Sequence, residues 1–356
     1  MPLIIEGGRV PGRWVEERSS RPSSADNAKG AECIRLALIN NMPDAALEDT
    51  ELQFFDLLDR ASGDILLLVK LYSLTGIPRT DRGQRHLNSF YYELDELWNG
   101  QVDGVIITGT EPRQPDLKDE PYWASLTDVL DWAENNTTST ILSCLAAHAS
   151  VLHGDGVGRH RLPDKQFGVF DSTKIGDHPL TNGIAGQIRF PHSRWNEVRA
   201  DELTSCGYSV LTQSTEAGVD LFVKRKKKSL FVHFQGHPEY GARTLLKEYR
   251  RDIKRFLVRE RETYPTMPLG YFNSSATRVL NEFQAVALSH RREETVTLFP
   301  EAAVVDGLQN AWQSSATCVY RNWLQYLESR QAEVLSFSAM PRAGRLRPGV
   351  ANGERA

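Results

Sequence analysis

Hydrophobic runs alternate with amphipathic segments along the first half of the chain. Apolar runs at 35–41, 64–74 and 103–109 predict strands that are buried on both faces. The segment between the first two runs has apolar residues at helical spacing, and an aromatic segment at 90–98 predicts another helix. Strands that alternate with helices in this way are typical of a mostly parallel sheet flanked by helices.

The segment 139–150 predicts a further strand that ends at Cys144 and a helix that begins at once. The thiol then lies on a sharp strand-to-helix turn, where helix-start amides can lower its pKa and stabilise an oxyanion. The turn at 108–113 follows another parallel strand, so we expect it to line the same site as Cys144. An ordinary buried cysteine is the alternative interpretation of Cys144 alone.

A second group of candidate catalytic residues follows the apolar run 231–234, which predicts a strand. His237 and Glu239 lie together in the turn after it. A cysteine, a histidine and a carboxylate can serve as nucleophile, general base and orienting group. This order predicts Cys144, His237 and Glu239 as the catalytic residues. Taken alone, His237 is equally compatible with a residue that caps the end of a strand.

The second half of the chain has a different pattern. Segments at 165–170, 188–192 and 208–213 predict an antiparallel portion of the fold. Residues 242–259 and 300–328 predict two further helices, the first with a clear amphipathic face.

Composition suggests three regions. We predict an irregular N-terminal arm at 1–32, a single α/β domain at 33–328, and a largely disordered tail at 329–356. The basic run 224–228 lies between two short strands and predicts a solvated hairpin turn. Binding of the phosphates of an anionic ligand is the alternative for this run.

Overall charge and cysteine spacing exclude several classes of protein. The chain of 356 residues has a net charge of -4, without the basic character of a nucleic-acid-binding protein. No apolar run approaches membrane-spanning length, and we expect no membrane association and no signal peptide. The four cysteines form no CxxC pair, so we expect a reducing cytoplasm, no disulfide framework and no metal site.

Several motifs resemble a known family in their order and spacing, from about residue 33 to 328. They are Asn40-Asn41-Met42-Pro43, Asp103-Gly104-Val105-Ile106-Ile107-Thr108-Gly109, Pro121-Tyr122-Trp123, Pro191-His192-Ser193-Arg194, Gly236-His237-Pro238-Glu239-Tyr240 and Asn322-Trp323-Leu324. The chain resembles the homoserine O-acyltransferases of methionine biosynthesis. The resemblance implies a class I glutamine amidotransferase-like, flavodoxin-like fold of three layers with an antiparallel portion.

The same resemblance implies a reaction and a set of residues. An acyl group would pass from acyl-coenzyme A, a co-substrate rather than a permanently bound cofactor, through a thioester on Cys144 to the hydroxyl of L-homoserine. His237 would be the base and Glu239 its partner. The residues that would hold the amino acid are Lys165, Ser193 and Arg251. Without the resemblance, Ser193 would be interpreted as a turn residue and Arg251 as a surface arginine.

Two positions depart from the family pattern. Asp44 follows Pro43 where the family has a lysine that contributes to the acyl site. Arg113 aligns with the position that discriminates between acyl donors, where the family has glycine for succinyl and glutamate for acetyl. A forked cation suits the free carboxylate of a succinyl group, so we expect a homoserine O-succinyltransferase. A solvated loop arginine and an acetyl donor are the alternatives.

Two other classes of function compete with acyl transfer. A glutamine amidotransferase or γ-glutamyl hydrolase would share the fold, but these enzymes have glycine where Leu145 and Ala146 follow the nucleophile here. A binding or regulatory protein with a retired site is disfavoured by the presence of all three catalytic residue types. A related hydroxy amino acid as acceptor and a homodimeric assembly are left open.

Overall fold

A computed structural model describes residues 3–6, 33–184 and 187–339. Its larger sheet has eight strands in the order β1-β3-β2-β4-β5-β12-β11-β8, and its smaller sheet has the order β10-β9-β6-β7. The strands are β1 (Leu3–Ile5), β2 (Ile34–Ile39), β3 (Leu67–Tyr72), β4 (Gly104–Ile107), β5 (Ser139–Ser143), β6 (His160–Lys174), β7 (Ile188–Glu197), β8 (Ser209–Val210), β9 (Thr212–Ser214), β10 (Gly218–Val219), β11 (Leu221–Lys226) and β12 (Ser229–Phe234).

The helices of the described part pack around these strands. They are α1 (Asp44–Ser62), α2 (Asp81–Phe90), α3 (Leu94–Asn99), α4 (Trp123–Asn136), α5 (Leu145–Asp155), α6 (Ala200–Ser205), α7 (Thr244–Leu257), α8 (Ser274–Ser289), α9 (Glu301–Val305) and α10 (Gln313–Ala339). Short 3₁₀ turns lie at Leu117–Asp119, Pro179–Thr181 and Glu293–Leu298. Among the described residues, no helix combines the length and the apolar character needed to cross a membrane.

The centre of the larger sheet is parallel, from β1 across to β12, whereas β11 and β8 pair antiparallel at one edge. Every residue of β4 and β12 is buried, as expected for parallel strands covered on both faces. The loops after β2, β4, β5 and β12 therefore leave the sheet at the same edge. The predicted mostly parallel sheet with flanking helices and an antiparallel portion is confirmed.

Two hydrophobic cores lie on opposite faces of this sheet and define three layers. Leu36 and Leu38 of β2 enter the core formed with α1, α7 and α10. Ala37 and Ile39, which alternate with them, enter the core formed with α4 and α5. This alternation follows from the two-residue period of a strand, so one apolar run supplies both cores.

The smaller sheet is built on a long antiparallel hairpin of β6 and β7, whose pairing is irregular between Arg161 and Gln166. A returning segment docks on β6 where Val169 donates a backbone hydrogen bond to Leu269 and Leu269 donates one to Phe167. On the other side, Pro191 of β7 accepts the amide of His237 at 2.8 Å. The hairpin thus connects the smaller sheet to the turn that follows β12.

The ends of the chain differ from the sequence-based expectation. Leu3–Ile5, predicted to belong to an irregular arm, form an edge strand parallel to Leu67–Val69 because three successive apolar side chains are buried there. Helix α10 continues to Ala339, past the predicted domain end at 328, because no glycine or proline interrupts it before Pro341. The remaining parts of the arm, 7–32, and of the tail, 340–356, lie outside the described residues. The division into domains stays a prediction.

Two predicted helices also have different bounds. The helix expected at 90–98 is preceded by α2, which Thr80 caps by accepting the amide of Gly83, and only its second part is helical, as α3. The helix expected at 300–328 is split into α9 and α10 by the segment 306–312. At the first break, Leu87 and Phe90 pack against one core whereas Leu97 enters the other, a division that the pattern alone did not show. At the second break, the apolar residues on both sides enter one core, so the periodicity continues across it.

Gly168 permits the docking of the returning segment on β6. It has φ +150°, and a Cβ atom there would lie 2.3 Å from the carbonyl oxygen of Leu269. We expect Gly168→Ala to lower the free energy of unfolding by about 1–3 kcal/mol through this overlap. Urea unfolding measures the loss. Gly176→Ala, with no atom within 4 Å of the added Cβ, is the matched control, and equal midpoints for the two variants would contradict the prediction.

Candidate active site

Cys144 joins β5 to α5 in a backbone conformation that L-residues rarely adopt, with φ 51° and ψ -108°. Its amide donates a hydrogen bond of 2.8 Å to the carbonyl of Phe234, which ties the ends of β5 and β12 together. A non-glycine residue in such a conformation costs about 1–3 kcal/mol and persists only when its surroundings impose it. The turn leaves the thiol partly exposed at the edge of the sheet.

The backbone beside Cys144 suits a developing negative charge. Leu145 begins α5, and the first amides of a helix have no intrahelical acceptor. The loop after β4 lies directly against this helix start, since a Cβ on Gly109 would be 3.0 Å from the nitrogen of Leu145. The predicted proximity of the 108–109 turn to Cys144 is therefore present in the structure.

Asn41 fixes this loop from β2. Its amide donates to the hydroxyl of Thr108 at 2.8 Å, and its side-chain nitrogen donates to the carbonyl of Thr108 at 3.2 Å. Its side-chain oxygen accepts the amide of Leu74, beyond the end of β3. One buried asparagine thus connects the ends of three neighbouring strands, which holds the edge of the site in place.

His237 lies in the turn after β12, and its side chain is buried between Cys144 and Glu239. Nδ1–H donates to Oε1 of Glu239 at 2.8 Å, and His237 also interacts electrostatically with Cys144. The ring stacks on Tyr240 with a centroid distance of 4.2 Å. The structure therefore brings the three residues predicted to be catalytic into one connected group.

The protonation of His237 is set by opposing effects. Burial by itself lowers the pKa of the imidazole, but the Glu239 carboxylate and Cys144 outweigh it and hold the pKa well above its usual value. The imidazolium of His237 lies beside the sulfur of Cys144, and the thiolate is the nucleophilic form of a cysteine. Glu239 is itself kept in place by the hydroxyl of Ser143 at 3.4 Å.

A second polar cluster adjoins His237 and is centred on Glu248 of α7. Its carboxylate accepts the hydroxyl of Tyr240 at 2.7 Å and that of Ser193 at 2.5 Å. Lys165 lies 3.4 Å from this carboxylate, and Arg251 lies 3.5 Å from it. Burial raises the pKa of Glu248, but the two cations and the two hydroxyl donors outweigh burial and lower the pKa overall.

Asp252 completes this cluster, with Lys165 at 2.9 Å and Arg251 at 3.0 Å. The three residues predicted to hold the amino acid, Lys165, Ser193 and Arg251, are thus brought together from β6, β7 and α7. The sequence interpretation missed the acids between them. The spacing of 248, 251 and 252 on one amphipathic helix was the available signal, because such positions share a face.

Arg113 lies apart from these contacts. Its side chain is exposed and forms no ion pair with the described residues, while its amide is held by Glu120 at 2.5 Å. Instead, Glu111 connects this loop to α7. Its two carboxylate oxygens accept hydrogen bonds from the two terminal nitrogens of Arg255, at 3.1 and 3.3 Å. No pattern in the sequence indicated this pair, since the two residues are far apart in the chain.

The departure at Asp44 has a structural explanation. Its carboxylate accepts the amide of Thr80 at 2.7 Å and the hydroxyl of Thr80 at 2.6 Å, and it pairs with Arg79 at 3.2 Å. Burial opposes its ionisation, but these donors outweigh burial and lower its pKa. Asp44 therefore secures the start of α2 against the start of α1.

The basic run lies at the opposite edge of the sheet from Cys144. It forms the β11–β12 hairpin, in which Lys226 pairs with Ser229. Lys224 forms an ion pair with Asp155, and Lys227 forms one with Glu134 at 2.9 Å. The predicted hairpin turn is confirmed, and its charges are balanced by acids of α4 and α5.

Comparison with known proteins agrees with the geometry of the site. A family model described as homoserine O-succinyltransferase matches residues 19–334. A homoserine O-succinyltransferase of Rhodopseudomonas palustris is 42% identical over 306 residues, which cover 86% of this chain and 92% of that protein. One of Bradyrhizobium japonicum is 40% identical over 92% of this chain and 99% of that protein.

A solved glutamine amidotransferase of Thermotoga maritima covers 84% of this chain and 100% of that structure, at 13% identity and a TM-score of 0.42. A likeness at this level carries no argument about chemistry. The family matches do, because they extend over most of the chain and of the relatives. The resemblance read from the motifs is confirmed, and the chain belongs to the homoserine O-succinyltransferase family.

Proposed function

We propose that the protein transfers a succinyl group from succinyl-coenzyme A to the hydroxyl of L-homoserine through a thioester on Cys144. The observation that carries this proposal is the connected group of Cys144, His237 and Glu239 on a strained strand-to-helix turn. The membership of the chain in the succinyltransferase family supports the choice of substrates.

Acylation starts from the thiolate of Cys144 beside the imidazolium of His237. The thiolate attacks the thioester carbonyl, and the amide of Leu145 at the helix start can stabilise the oxyanion. The carbon–sulfur bond to coenzyme A then breaks as His237 gives its proton to the departing thiolate. The products of this half-reaction are free coenzyme A, succinyl-Cys144 and a neutral imidazole.

Transfer to the acceptor reverses the proton movement. The neutral imidazole takes the proton of the acceptor hydroxyl, and the oxygen attacks the thioester carbonyl of succinyl-Cys144. The carbon–sulfur bond breaks, and the thiolate and imidazolium are restored. Glu239 accepts from Nδ1–H in both steps, so it fixes the tautomer whose other nitrogen faces Cys144.

The cluster around Glu248 supplies complementary charges for an amino acid. In the proposal, Arg251 and Lys165 bind the α-carboxylate, and Glu248 binds the ammonium group. Arg251 is the cation best suited to exchange partners, because its side chain is 46% exposed whereas that of Lys165 is 9% exposed. Tyr240 contacts both His237 and Glu248, which places this cluster next to the base.

The proposal extends to the setting of the reaction. Acyl-coenzyme A takes part as a co-substrate: its acyl group is transferred and free coenzyme A is released. The cytoplasm is the proposed location, since Cys33, Cys144, Cys206 and Cys318 are all free thiols and suit a reducing compartment.

The first prediction concerns the covalent intermediate. Intact-protein mass spectrometry after incubation with succinyl-coenzyme A, without acceptor, should show one added succinyl group on Cys144, because deacylation needs the acceptor hydroxyl. Cys144→Ala should show none. Cys206→Ala, which removes another partly exposed thiol, is the matched control and should acylate like the wild type. Acylation that survives in Cys144→Ala would contradict the nucleophile assignment.

The second prediction concerns the acceptor. Arg251→Lys keeps the charge but loses the planar fork, so the KM for homoserine should rise by about tenfold with a smaller change in kcat. Steady-state kinetics with the acceptor varied measures this. Arg250→Lys, at a neighbouring position whose side chain pairs with Glu301, is the control and should keep the wild-type KM. An unchanged KM in Arg251→Ala would remove Arg251 from the site.

The third prediction concerns the acyl donor. Arg113 is exposed, on the loop whose Gly109 lies against the start of α5, and in the proposal it meets the carboxylate at the far end of the succinyl chain. Such a charged hydrogen bond contributes about 1.5–3 kcal/mol, so Arg113→Ala should lower kcat/KM for succinyl-coenzyme A by roughly 10- to 100-fold. The value for acetyl-coenzyme A should not change.

Arg278→Ala removes another exposed arginine, on α8, and serves as the control for a general change of surface charge. A wild-type preference for acetyl-coenzyme A would overturn the succinyl assignment. A succinyl preference that Arg113→Ala leaves intact would remove only the role of Arg113.

A further inference from the structure

A buried carboxylate lies directly beneath the turn that holds His237. Asp220 connects β10 to β11 and is fully buried. Its Oδ1 accepts the amide of Gly236 at 2.8 Å, and its backbone carbonyl accepts the amide of Gln235 at 3.0 Å. The two residues that precede His237 are therefore both held by Asp220.

His192 and Arg194 of β7 extend this network. Arg194 Nε donates to His192 Nδ1 at 3.2 Å, so the proton of the imidazole is on Nε2, which lies 3.7 Å from Oδ1 of Asp220. Burial and the charge of Arg194 hold the pKa of His192 well below its usual value, so this histidine is neutral. Arg194 is anchored further by donating to the carbonyl of Asn196 at 2.8 Å.

The turn has no free space in which to move. A Cβ on Gly236 would lie 2.9 Å from the carbonyl oxygen of Pro191 and 3.0 Å from both Asp220 Oδ1 and His192 Nε2. The same carbonyl of Pro191 accepts the amide of His237. The backbone position of the base is consequently set by β7 on one side and by Asp220 on the other.

The charged groups of this network also act on Cys144 and His237. Asp220 faces the cations Arg194 and His237, and Glu239 opposes its ionisation. Arg194 faces Cys144, Asp220 and Glu197. Arg194 thus presents positive charge toward the sulfur, and Asp220 presents negative charge toward the imidazole, which favours its protonated form.

This arrangement carries a cost in stability. Oδ2 of Asp220 is buried without a hydrogen-bond partner among the described residues, and burial raises the pKa of Asp220 to about 6. An unpaired buried carboxylate oxygen is unfavourable and is rare in native structures unless it has a role.

We propose that Asp220 is a positioning residue for the catalytic base: its carboxylate fixes the turn that aims His237 at Cys144, and its negative charge favours the imidazolium form. This inference rests on the proposed roles of Cys144 and His237 as nucleophile and base. It does not depend on which acyl donor or acceptor the protein uses.

The decisive variant is Asp220→Asn, which keeps an acceptor for the Gly236 amide and removes the charge. The readout is the rate of Cys144 alkylation by iodoacetate against pH, which needs no substrate. This anionic reagent reacts fastest while an imidazolium stands beside the thiolate, so the alkaline limb of the profile reports loss of the His237 proton. We expect that limb to move to lower pH by about one unit, since a negative charge near the imidazolium is lost.

Thermal unfolding separates positioning from mere structural support. The pKa of Asp220 is about 6 in the folded protein, against the ordinary value of 3.8 for an aspartate, so the carboxyl favours the folded state while protonated. That contribution is complete below about pH 4 and is lost as the pH rises through about 6. At pH 8, Asp220→Asn should therefore unfold at the same or a higher temperature than the wild type, while the acylation rate falls about tenfold.

Asp103→Asn is the matched control. Asp103 also accepts a backbone amide, that of Arg35 at 2.7 Å, and its pKa is also raised by burial, but it lies at the opposite edge of the sheet. It should leave the alkylation profile and the acylation rate unchanged. Asp220→Ala, which also frees the Gly236 amide, should lose more activity than Asp220→Asn.

An alkylation profile of Asp220→Asn that coincides with the wild type would overturn the inference, as would a loss of activity matched by an equal loss of thermal stability. A shifted profile in an enzyme that accepts neither succinyl- nor acetyl-coenzyme A would uphold the role of Asp220 while refuting the proposed function.

Discussion

The pairing of β5 with β12 is the constraint on which the site depends. These strands are parallel and in register up to the pair of Ser143 and Phe234, so both chains leave the sheet at one point. The hydrogen bond from the amide of Cys144 to Phe234 continues this register by one residue and holds the strained turn. Cys144 and the turn that carries His237 are distant in sequence and consequently meet at this edge of the sheet.

Around this point several charged groups are partly or fully buried. Glu239, Asp220, Glu248 and Asp252 face the cationic groups of Lys165, Arg194, Arg251 and His237. Burying such groups is costly unless each is paired, which accounts for the ion pairs among them. The orphaned oxygens of Asp220 and Glu239 show that the compensation is incomplete at the catalytic turn itself. In the proposed function, this cost in stability accompanies preorganised charge at the site.

Much of the fold was predictable because its central strands are continuous apolar runs. Strands such as β4 and β12 are buried on both faces, and that environment leaves a strong local signature. The errors lie where local signals are weak: the short edge strand β1, the polar helix α2 and the late end of α10. At these places tertiary burial, rather than periodicity, decides the structure.

The residue types of the site, their order and the family of the chain were all apparent from the sequence. Cys144, His237 and Glu239 were recognisable because a strand end and the turn after a neighbouring strand leave local signals. Which charges face one another depends instead on how the chain folds. The partners of Glu248, the carboxylate of Asp220 beneath Gly236, and the pair of Glu111 with Arg255 join elements that are remote in the chain. Such contacts depend on strand register and helix packing, which no local pattern of residues encodes.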